Sequence, residues 1–285
     1  MQEKFLTIFT PTYNRAYILP KLYESLLQQS NKNFVWLVGD DGSSDKTKDL
    51  VQQFQAEGKL EITYFFQENK GKHFAVNRGL EIAVTEFFSV VDSDDYLSEN
   101  AVEEMQVLSE KIQGDQQIAA FTFIHFSGSK DMDLEKFGKK EWIVSGRADY
   151  DWQFPGEMTY CFKTKIHREF LFPEFEGEKF CQESLVFRRI ERKYKILFTD
   201  KILAFGDYLE DGLTNNFYQL LLKNPKSTLL NIRERFQDPI SADERSRLAE
   251  TYWDIASKTD TSFMEKYLGI NPFLILKVLL KKYIK

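Results

Sequence analysis

Short apolar runs rich in β-formers alternate with segments of helical periodicity over the first hundred residues, and this alternation constrains the fold more than any other feature. Strands are predicted at residues 5–9, 34–38, 60–66 and 87–91. Helices are predicted between them at residues 17–27, around residues 50–54 and at residues 72–84. Strands that alternate with helices form right-handed crossovers, so the pattern predicts an α/β fold with a mainly parallel sheet.

A polar cluster follows three of the four predicted strands. These clusters are Thr-Pro-Thr-Tyr-Asn-Arg at 10–15, Asp-Asp-Gly-Ser-Ser-Asp at 40–45 and Asp-Ser-Asp-Asp at 92–95. Ligands of open parallel sheets bind beyond the carboxyl ends of the strands. We therefore expect the three clusters to meet at one edge of the sheet and to form a site there.

The cluster at 92–95 places three carboxylates in one turn. Neighbouring carboxylates repel each other unless a cation neutralises them, and Mg²⁺ is held by one or two carboxylates together with substrate phosphates. An acidic turn can also do no more than precede a helix N-terminus, where negative charge is favourable. The sequence leaves both interpretations open for this cluster taken alone.

The cluster at 40–45 favours the ligand-binding interpretation. Gly42 permits a tight turn, and a serine after it can cap the next helix. Capping does not require two acids directly after a buried strand, so one of Asp40 and Asp41 is expected to be free to accept a hydrogen bond from a base or a ribose.

The second half of the chain is less regular. It contains predicted strands at 118–126, 142–144 and 195–198, a charged loop at 127–141 and a helix at 184–194. Beyond residue 215 the sequence is helical and apolar-periodic to its end. This predicts a main domain at 1–215 and a C-terminal helical extension at 216–285.

Composition excludes several classes of protein. The net charge of −6 argues against a nucleic-acid partner. Two cysteines are too few for a disulfide scaffold and fit a reducing compartment. Neither a signal peptide nor a run of about twenty apolar residues is present, which predicts a cytoplasmic protein. No Gly-x-Gly-x-x-Gly follows the first strand, so a Rossmann oxidoreductase is disfavoured.

The order and spacing of the three clusters, with the Gly-Lys-His-Phe-Ala-Val-Asn-Arg-Gly stretch at 71–79, resemble family 2 glycosyltransferases of the GT-A fold. The resemblance is close over residues 4–110 and weaker over 111–215. It implies a Rossmann-like mixed, mainly parallel sheet flanked by helices. It also implies a nucleotide-binding half at 1–110 and an acceptor-binding half at 111–215.

The resemblance assigns roles to individual residues of the first half. Pro11 and Tyr13 would line the base pocket, and Asp41 would accept from the base imide. Asp92 would contact the ribose or the donor sugar, and Asp94 would bind a bridging Mn²⁺ or Mg²⁺, with Asp95 as the competing metal ligand. The other implied donor-binding residues are Arg15, Ser93, Lys72 and Asn77.

The resemblance also implies a catalytic base at the start of a helix in the second half. Glu183 is the best match, although its alternative role is to interact with the dipole of that helix. The loop 208–214 is expected to close over the donor or to contribute to the metal site. Trp152, Tyr160 and Phe162 are candidates for stacking on sugars, with core packing as the alternative.

The function implied is that of a hexosyl- or N-acetylhexosaminyltransferase. With a divalent metal, it would move a sugar from a nucleotide-diphosphate sugar, preferably a UDP-sugar, to a hydroxyl of a glycan or lipid-linked acceptor. The transfer would invert the anomeric configuration and would serve cell-surface polysaccharide or glycoconjugate synthesis. The alternative is a non-catalytic module that binds nucleotide sugars on the same fold.

The last helix, residues 273–285, combines a broad apolar face with four lysines. Such a helix suits the surface of an anionic membrane, and here the inner face of the membrane is expected. Docking onto its own domain, or onto a second subunit in a homodimer, is the alternative.

Overall fold

The computed structural model describes residues 3–127, 157–206 and 216–283. Its strands are β1 (Leu6–Thr12), β2 (Phe34–Asp40), β3 (Ile62–Phe66), β4 (Phe87–Val90), β5 (Asp95–Leu97), β6 (Ile118–Ser127), β7 (Glu157–Lys163), β8 (Lys195–Leu197) and β9 (Ile202–Gly206). Its helices are α1 (Leu19–Leu27), α2 (Thr47–Glu57), α3 (Lys72–Ile82), α4 (Ala101–Gln113), α5 (Thr164–His167), α6 (Ser184–Glu191), α7 (Phe217–Lys223), α8 (Pro225–Arg235), α9 (Ala242–Lys258), α10 (Phe263–Leu268) and α11 (Pro272–Tyr283).

The chain divides into two compact units, which are described separately. The sheet unit comprises Met1–Leu171 and Val186–Glu210, and the helical unit comprises Phe172–Leu185 and Asp211–Lys285. The helical unit therefore includes a segment that comes before residue 215, where the sequence predicted the boundary. The predicted strand at 142–144, most of the loop at 127–141, and the loop at 208–214 lie outside the described residues.

The strands of the sheet unit form one mixed sheet, in the order β3-β2-β1-β4-β7-β6-β9-β5 with β8 beside β6. β1 pairs in parallel with both β2 and β4, and β2 with β3. The carboxyl ends of these four strands therefore lie at one edge. The sheet is mixed because β7 pairs antiparallel with β4 and β6, and β5 pairs antiparallel with β9. The expected α/β fold, mainly parallel in its first half, is confirmed.

β1 is longer than the sequence predicted. The prediction ended the strand before Pro11, but the pairing continues through Pro11 opposite Gly39 and Thr12 opposite Asp40. β1 pairs with β4 only as far as Phe9, which lies opposite Val90. Pro11 therefore lies beyond the end of the β1–β4 ladder and pairs with β2 alone. Proline is tolerated at such positions because its missing N–H is not required by a neighbour.

Apolar side chains cover both faces of the parallel strands, as expected for a sheet buried between helices. On one face Trp36 lies among the rings of Tyr23 and Phe54, and its indole N–H donates to Thr10 Oγ1 at 3.0 Å. On the other face Phe9 stacks against Phe65 and Phe88. This packing fixes the strands and, with them, the turns at their carboxyl ends.

The helical unit has a core of its own. Tyr252 and Ile255 of α9 are fully buried there, together with Ile232 of α8 and two residues of α11, Ile275 and Val278. Ser241 and Ser262 cap α9 and α10 by accepting from the backbone N–H three residues later. Glutamate occupies that third position in both helices, which is the sequence signature of a capping box.

Candidate active site

Side-chain hydrogen bonds join the turn after β1 to the turn after β2. The Asn14 side-chain oxygen accepts from the N–H groups of Ser44 at 2.8 Å and Asp45 at 3.3 Å, and the Asn14 N–H donates to Ser43 Oγ at 2.8 Å. The backbone of Asn14 has a φ of 54°, a left-handed conformation that asparagine tolerates better than most residues. The clusters at 10–15 and 40–45 therefore form one continuous surface.

Asp41 is buried and accepts three hydrogen bonds from the segment that precedes α3. Its Oδ1 accepts from the Gln67 side chain at 2.8 Å and from the Lys70 N–H at 3.0 Å, and its Oδ2 accepts from the Gly71 N–H at 2.7 Å. A carboxylate offers about four acceptor sites, so most of the capacity of Asp41 is used within the chain. Its contact with a base imide stays a prediction.

Asp40 also has structural partners. It accepts from the Ser43 N–H at 2.7 Å and from the Tyr64 hydroxyl at 2.9 Å. Both aspartates thus have hydrogen-bond partners within the chain, and acceptance of a further hydrogen bond from a base or a ribose by one of them stays a prediction. The tight turn through Gly42, at a φ of 90°, brings the Ser43 N–H to Asp40, whereas the backbone N–H groups that donate to Asp41 belong to the segment before α3.

The third cluster joins this surface through an ion pair. Lys72, the first residue of α3, places its Nζ 2.7 Å from Asp92 Oδ1 and 2.8 Å from Oδ2. Both side chains are partly exposed, at 33% and 43%, so water screens their attraction and the pair contributes little to stability. It leaves a cation and an anion at the carboxyl edge of the sheet, where both are accessible to a ligand.

Asp94 lies half-buried beside this pair. Burial, followed by repulsion from Asp92, raises the pKa of the Asp94 carboxyl, while the charges of Arg15 and Lys72 lower it in part. The electrostatic influence of Arg15 on Asp94 means that residues of the first and third clusters lie close together. The structure thus brings the three clusters to one edge, as the sequence predicted.

Asp95 is held differently. It begins β5, and its Oδ1 lies 2.8 Å from His125 Nε2 of β6. Burial raises the pKa of the Asp95 carboxyl to about 6, although the hydrogen bond from His125 acts in the opposite direction. Burial lowers the pKa of His125, but its interactions with Asp95 outweigh that effect and raise it overall. Whether Asp94 or Asp95 binds the metal stays a prediction.

His125 is a residue of this region that the sequence did not indicate. It forms no recognisable sequence motif with Asp95, because the two residues meet only through the ladders that β5 and β6 each form with β9. A lone histidine within an apolar strand carries no local signal of such a contact.

The remaining predicted donor-binding residues differ in exposure. Tyr13 is half-exposed at the turn after β1, where its ring is accessible for stacking on a base. Pro11 is buried near the end of β1, and Ser93 is buried in the turn between β4 and β5. Asn77 is buried on α3. The roles assigned to these residues stay predictions.

Of the three aromatic residues considered for sugar stacking, the two that the structure describes are part of the core. The rings of Tyr160 and Phe162 stack on each other and pack against Phe187, and both are almost fully buried. The Tyr160 hydroxyl donates to Glu191 at 2.9 Å. The core-packing alternative therefore holds for both, and Trp152 lies outside the described residues.

Glu183 belongs to the helical unit rather than to the sheet unit. It directly precedes α6 and is half-buried. Its assignment as the catalytic base stays a prediction.

The residues present fit a divalent cation. Within residues 3–127, 157–206 and 216–283, no group of three or more histidine, cysteine, aspartate or glutamate side chains could hold a metal by itself. A cation that completes its shell with phosphates and water needs only one or two carboxylates. Asp94, with a raised pKa beside Asp92, supplies hard oxygen ligands whose repulsion a cation would relieve.

A mixed sheet of this topology, with acidic and polar turns gathered at the carboxyl edge of its parallel strands, is that of the GT-A fold. The model of the family described as "Glycosyl transferase family 2" matches residues 7–174. The chain belongs to this family and is a glycosyltransferase. The resemblance found in the sequence is thereby confirmed.

Two curated relatives match across most of their length. The chain is 26% identical over 208 residues to glycosyltransferase GlyG of Streptococcus pneumoniae, which covers 69% of this chain and 68% of the relative. It is 27% identical over 228 residues to the GalNAc(5)-diNAcBac-PP-undecaprenol β-1,3-glucosyltransferase of Campylobacter jejuni, which covers 76% of this chain and 71% of the relative.

Solved structures share the fold at low sequence identity. TarS 1–349 of S. aureus in complex with UDP-GlcNAc has a TM-score of 0.60 at 16% identity, over 97% of this chain and 79% of that one. The mannosyltransferase PcManGT of Pyrobaculum calidifontis, in complex with GDP-Man and Mn²⁺, has a TM-score of 0.58 at 15% identity, over 98% of this chain and 79% of that one.

Proposed function

We propose that this glycosyltransferase transfers a sugar from a UDP-sugar to a hydroxyl group of a lipid-linked or glycan acceptor, with a divalent metal and with inversion at the anomeric carbon. One observation carries the metal-dependent part of the proposal. Asp94 is half-buried beside Asp92 at the carboxyl edge of the sheet, and burial together with repulsion from Asp92 raises the pKa of the Asp94 carboxyl.

Asp94 would hold Mn²⁺ or Mg²⁺ together with the donor diphosphate, and Asp92 would contact the ribose or the sugar. When bound, such a cation supplies positive charge that stabilises the leaving diphosphate. Lys72 lies within reach of the same region through its ion pair with Asp92. Tyr13, half-exposed at the turn after β1, would stack on the base.

Glu183 would take the proton of the acceptor hydroxyl as that oxygen attacks the anomeric carbon. General-base assistance of this kind is typically worth about 10²–10⁴-fold in rate. Attack from the face opposite the leaving diphosphate inverts the anomeric configuration. Comparing the anomeric configuration of the product with that of the donor by proton NMR tests this, and retention would contradict it.

The similar proteins support the choice of substrates. TarS is described in complex with UDP-GlcNAc, and the Campylobacter relative is named for an acceptor linked to undecaprenyl diphosphate. A Bacillus subtilis protein that is 28% identical over 138 residues is named as a putative teichuronic acid biosynthesis glycosyltransferase. We therefore propose a role in cell-surface polysaccharide or glycoconjugate synthesis.

The main test is a panel of nucleotide sugars with Mn²⁺, in which slow hydrolysis of each donor is measured. Asp94→Asn is expected to lower turnover of the preferred donor by about 10²-fold or more, because it removes a charged ligand. Asp49→Asn is the matched control, since Asp49 is an exposed acid on α2 and its substitution changes net charge equally. Turnover by Asp94→Asn at the wild-type rate would contradict the proposal.

We also propose that α11 touches a membrane surface. No helix in the described part of the chain is long and apolar enough to cross a bilayer. However, Phe273, Leu276 and Leu280 of α11 are 75%, 51% and 52% exposed, and they alternate with the exposed Lys277 and Lys281. An apolar stripe bordered by lysines is typical of helices that lie on anionic lipid.

Co-sedimentation with vesicles that contain phosphatidylglycerol tests this contact. Replacing Phe273 and Leu280 with serine is expected to reduce binding at least tenfold, because the substitution removes two large apolar side chains from the interface. Val84→Ser is the control, since Val84 is 88% exposed in the sheet unit. If the double variant and the control bind vesicles equally, α11 does not touch the membrane. A change in the oligomeric state of the double variant would then indicate that α11 contacts a second subunit in a homodimer.

A further inference from the structure

The segment that leads into Glu183 is irregular, and buried polar side chains of the helical unit hold it. Residues 171–183 contain neither helix nor strand. The Asn224 side-chain oxygen accepts from the backbone N–H of Lys179 at 2.7 Å and of Phe180 at 3.0 Å. The Asn224 amide group in turn donates to the Leu220 carbonyl at 2.8 Å, which fixes its orientation.

Further contacts of the same kind continue along the segment. The Ser227 hydroxyl donates to the Phe180 carbonyl at 2.8 Å. The Asn231 amide group donates to the side-chain oxygen of Gln182, the residue directly before Glu183. Ser227 and Asn231 lie on α8 and are 2% and 7% exposed.

Glu178 anchors the start of the segment. Its carboxylate accepts from the N–H groups of Lys226 at 2.6 Å and Ser227 at 2.9 Å, which are in the first turn of α8. Those N–H groups have no partner within their own helix, and a negative charge is favoured at that end. The contact is therefore stabilising, and it fastens residue 178 to α8.

Backbone that belongs to neither helix nor strand has a defined position only if other groups satisfy its hydrogen bonds. Here these groups are side chains from one short stretch, residues 224–231. Each is buried, so removing one leaves an N–H or a carbonyl unpaired and costs about 1–3 kcal/mol locally. The position of residues 178–182 is consequently set by α8 and the residue before it.

We propose that Asn224, Ser227 and Asn231 are positioning residues for Glu183: they fix the backbone that carries its carboxylate, and through it the rate of proton removal from the acceptor. This inference rests on the proposed role of Glu183. It gives the C-terminal region a part in the reaction that differs from contact with a membrane.

The test compares two substitutions of similar burial. Asn224→Leu removes the acceptor for two backbone N–H groups, and a base displaced by about 1 Å can cost about 10²-fold in rate. We expect kcat to fall about 10- to 100-fold while the KM for the donor stays within about twofold. Thr228→Val is the matched control, because Thr228 is buried on α8 and its hydroxyl donates to the Leu221 carbonyl of α7, at 3.2 Å, rather than to the segment that leads into Glu183. The control is expected to keep the wild-type kcat.

A conservative variant and a second site sharpen the comparison. Asn224→Asp keeps the acceptor for both N–H groups but sets its second oxygen against the Leu220 carbonyl, so it is expected to retain more of the wild-type kcat than Asn224→Leu does. Hydrogen exchange measured by mass spectrometry should show faster exchange at residues 179–180 in Asn224→Leu than in Thr228→Val. If Asn224→Leu does not fold, Asn231→Leu provides the same kinetic test, because the Asn231 amide group holds the side chain of Gln182 next to Glu183; its exchange is then followed at residues 182–183. A wild-type kcat in a leucine variant with faster exchange would overturn the proposal.

A double variant separates this inference from the proposed function. If Glu183→Gln alone leaves kcat unchanged, Glu183 is not the base and the proposed mechanism fails. If Glu183→Gln lowers kcat, Asn224→Leu should lower it little further in the double variant, because residues that act through one group are not additive. If the fold-loss in kcat of the double variant equals the product of the two single-variant losses, Asn224 acts independently of Glu183, and the positioning role is overturned.

Discussion

Asp41 and Asp40 are adjacent, buried and acidic, yet we expect replacement of each by asparagine to have different consequences. The partners of Asp41 include two backbone N–H groups, those of Lys70 and Gly71, which approach different carboxylate oxygens. Asparagine has one oxygen and one NH₂ group, so at position 41 it would present a donor to a backbone donor in either orientation. At least one N–H that now has a charged acceptor would be left without one.

Asp40 differs because one of its partners can reverse its role. Its two oxygens accept from the Ser43 N–H and from the Tyr64 hydroxyl. With asparagine at position 40, the oxygen still accepts from Ser43, and the NH₂ group donates to the tyrosine oxygen, since a hydroxyl is both donor and acceptor. Both hydrogen bonds survive in neutral form.

The magnitude follows from these partners. Losing one hydrogen bond to a charged acceptor and leaving a buried N–H unpaired costs about 2–4 kcal/mol, so Asp41→Asn should be destabilised by that amount. Asp40→Asn should lose about 1 kcal/mol or less. In a protein of this size, 1 kcal/mol corresponds to about 2–4 °C in Tm, which gives a drop of roughly 4–16 °C for Asp41→Asn.

Thermal unfolding of both variants, followed by circular dichroism without donor, measures this difference. Urea unfolding at 25 °C provides the independent check. Equal destabilisation of the two variants, or a loss below about 0.5 kcal/mol for Asp41→Asn, would refute the hydrogen-bond argument. In that case the buried position of Asp41 would reflect ligand binding alone.

Two further predictions concern the sheet unit. Burial lowers the pKa of His167 to about 3, and its ring lies against Phe88 and Phe162. Below pH about 6.5 the folded state thus binds fewer protons than the unfolded state. The contribution of neutral His167 to the free energy of unfolding is therefore fully present above that pH and is lost towards pH 3, by up to about 1.4 kcal/mol per pH unit. His167→Phe should flatten this acid limb in urea titrations at pH 7, 6, 5 and 4; an unchanged limb would contradict the assignment. Gly79→Ala should destabilise by about 1–3 kcal/mol, although alanine favours helices, because its Cβ would lie 2.7 Å from the Phe9 ring. Phe9→Leu should relieve the clash, and a more stable Gly79→Ala single variant would contradict it.

The sequence determined the parallel half of the fold and the chemical character of its carboxyl edge. Each strand from β1 to β4 is a short segment dominated by apolar and β-forming residues, and each intervening helix shows the helical period of apolar residues, so these elements are encoded locally. The convergence of the turns after β1, β2 and β4 follows from parallel pairing alone. The family assignment rested on the same residues, because the motifs lie where the strands end.

Other features depended on contacts between residues far apart in the chain. β5 and β9 have 3 and 5 residues and acquire their partners only in the assembled sheet, which is why the sequence did not predict them. The pairing of Asp95 with His125 results from that register. It distinguishes Asp95 from Asp94, although the two are adjacent and identical in type.

Tertiary structure alone also decided what the buried polar groups do. In the sequence, Asp41 is one acid of a turn and Asn224 precedes a helix-starting proline. Only the folded chain brings the N–H groups of Lys70, Gly71, Lys179 and Phe180 to them. The physical reason is that hydrophobic periodicity is a local property of the chain, whereas a hydrogen bond between irregular segments depends on the final positions of both.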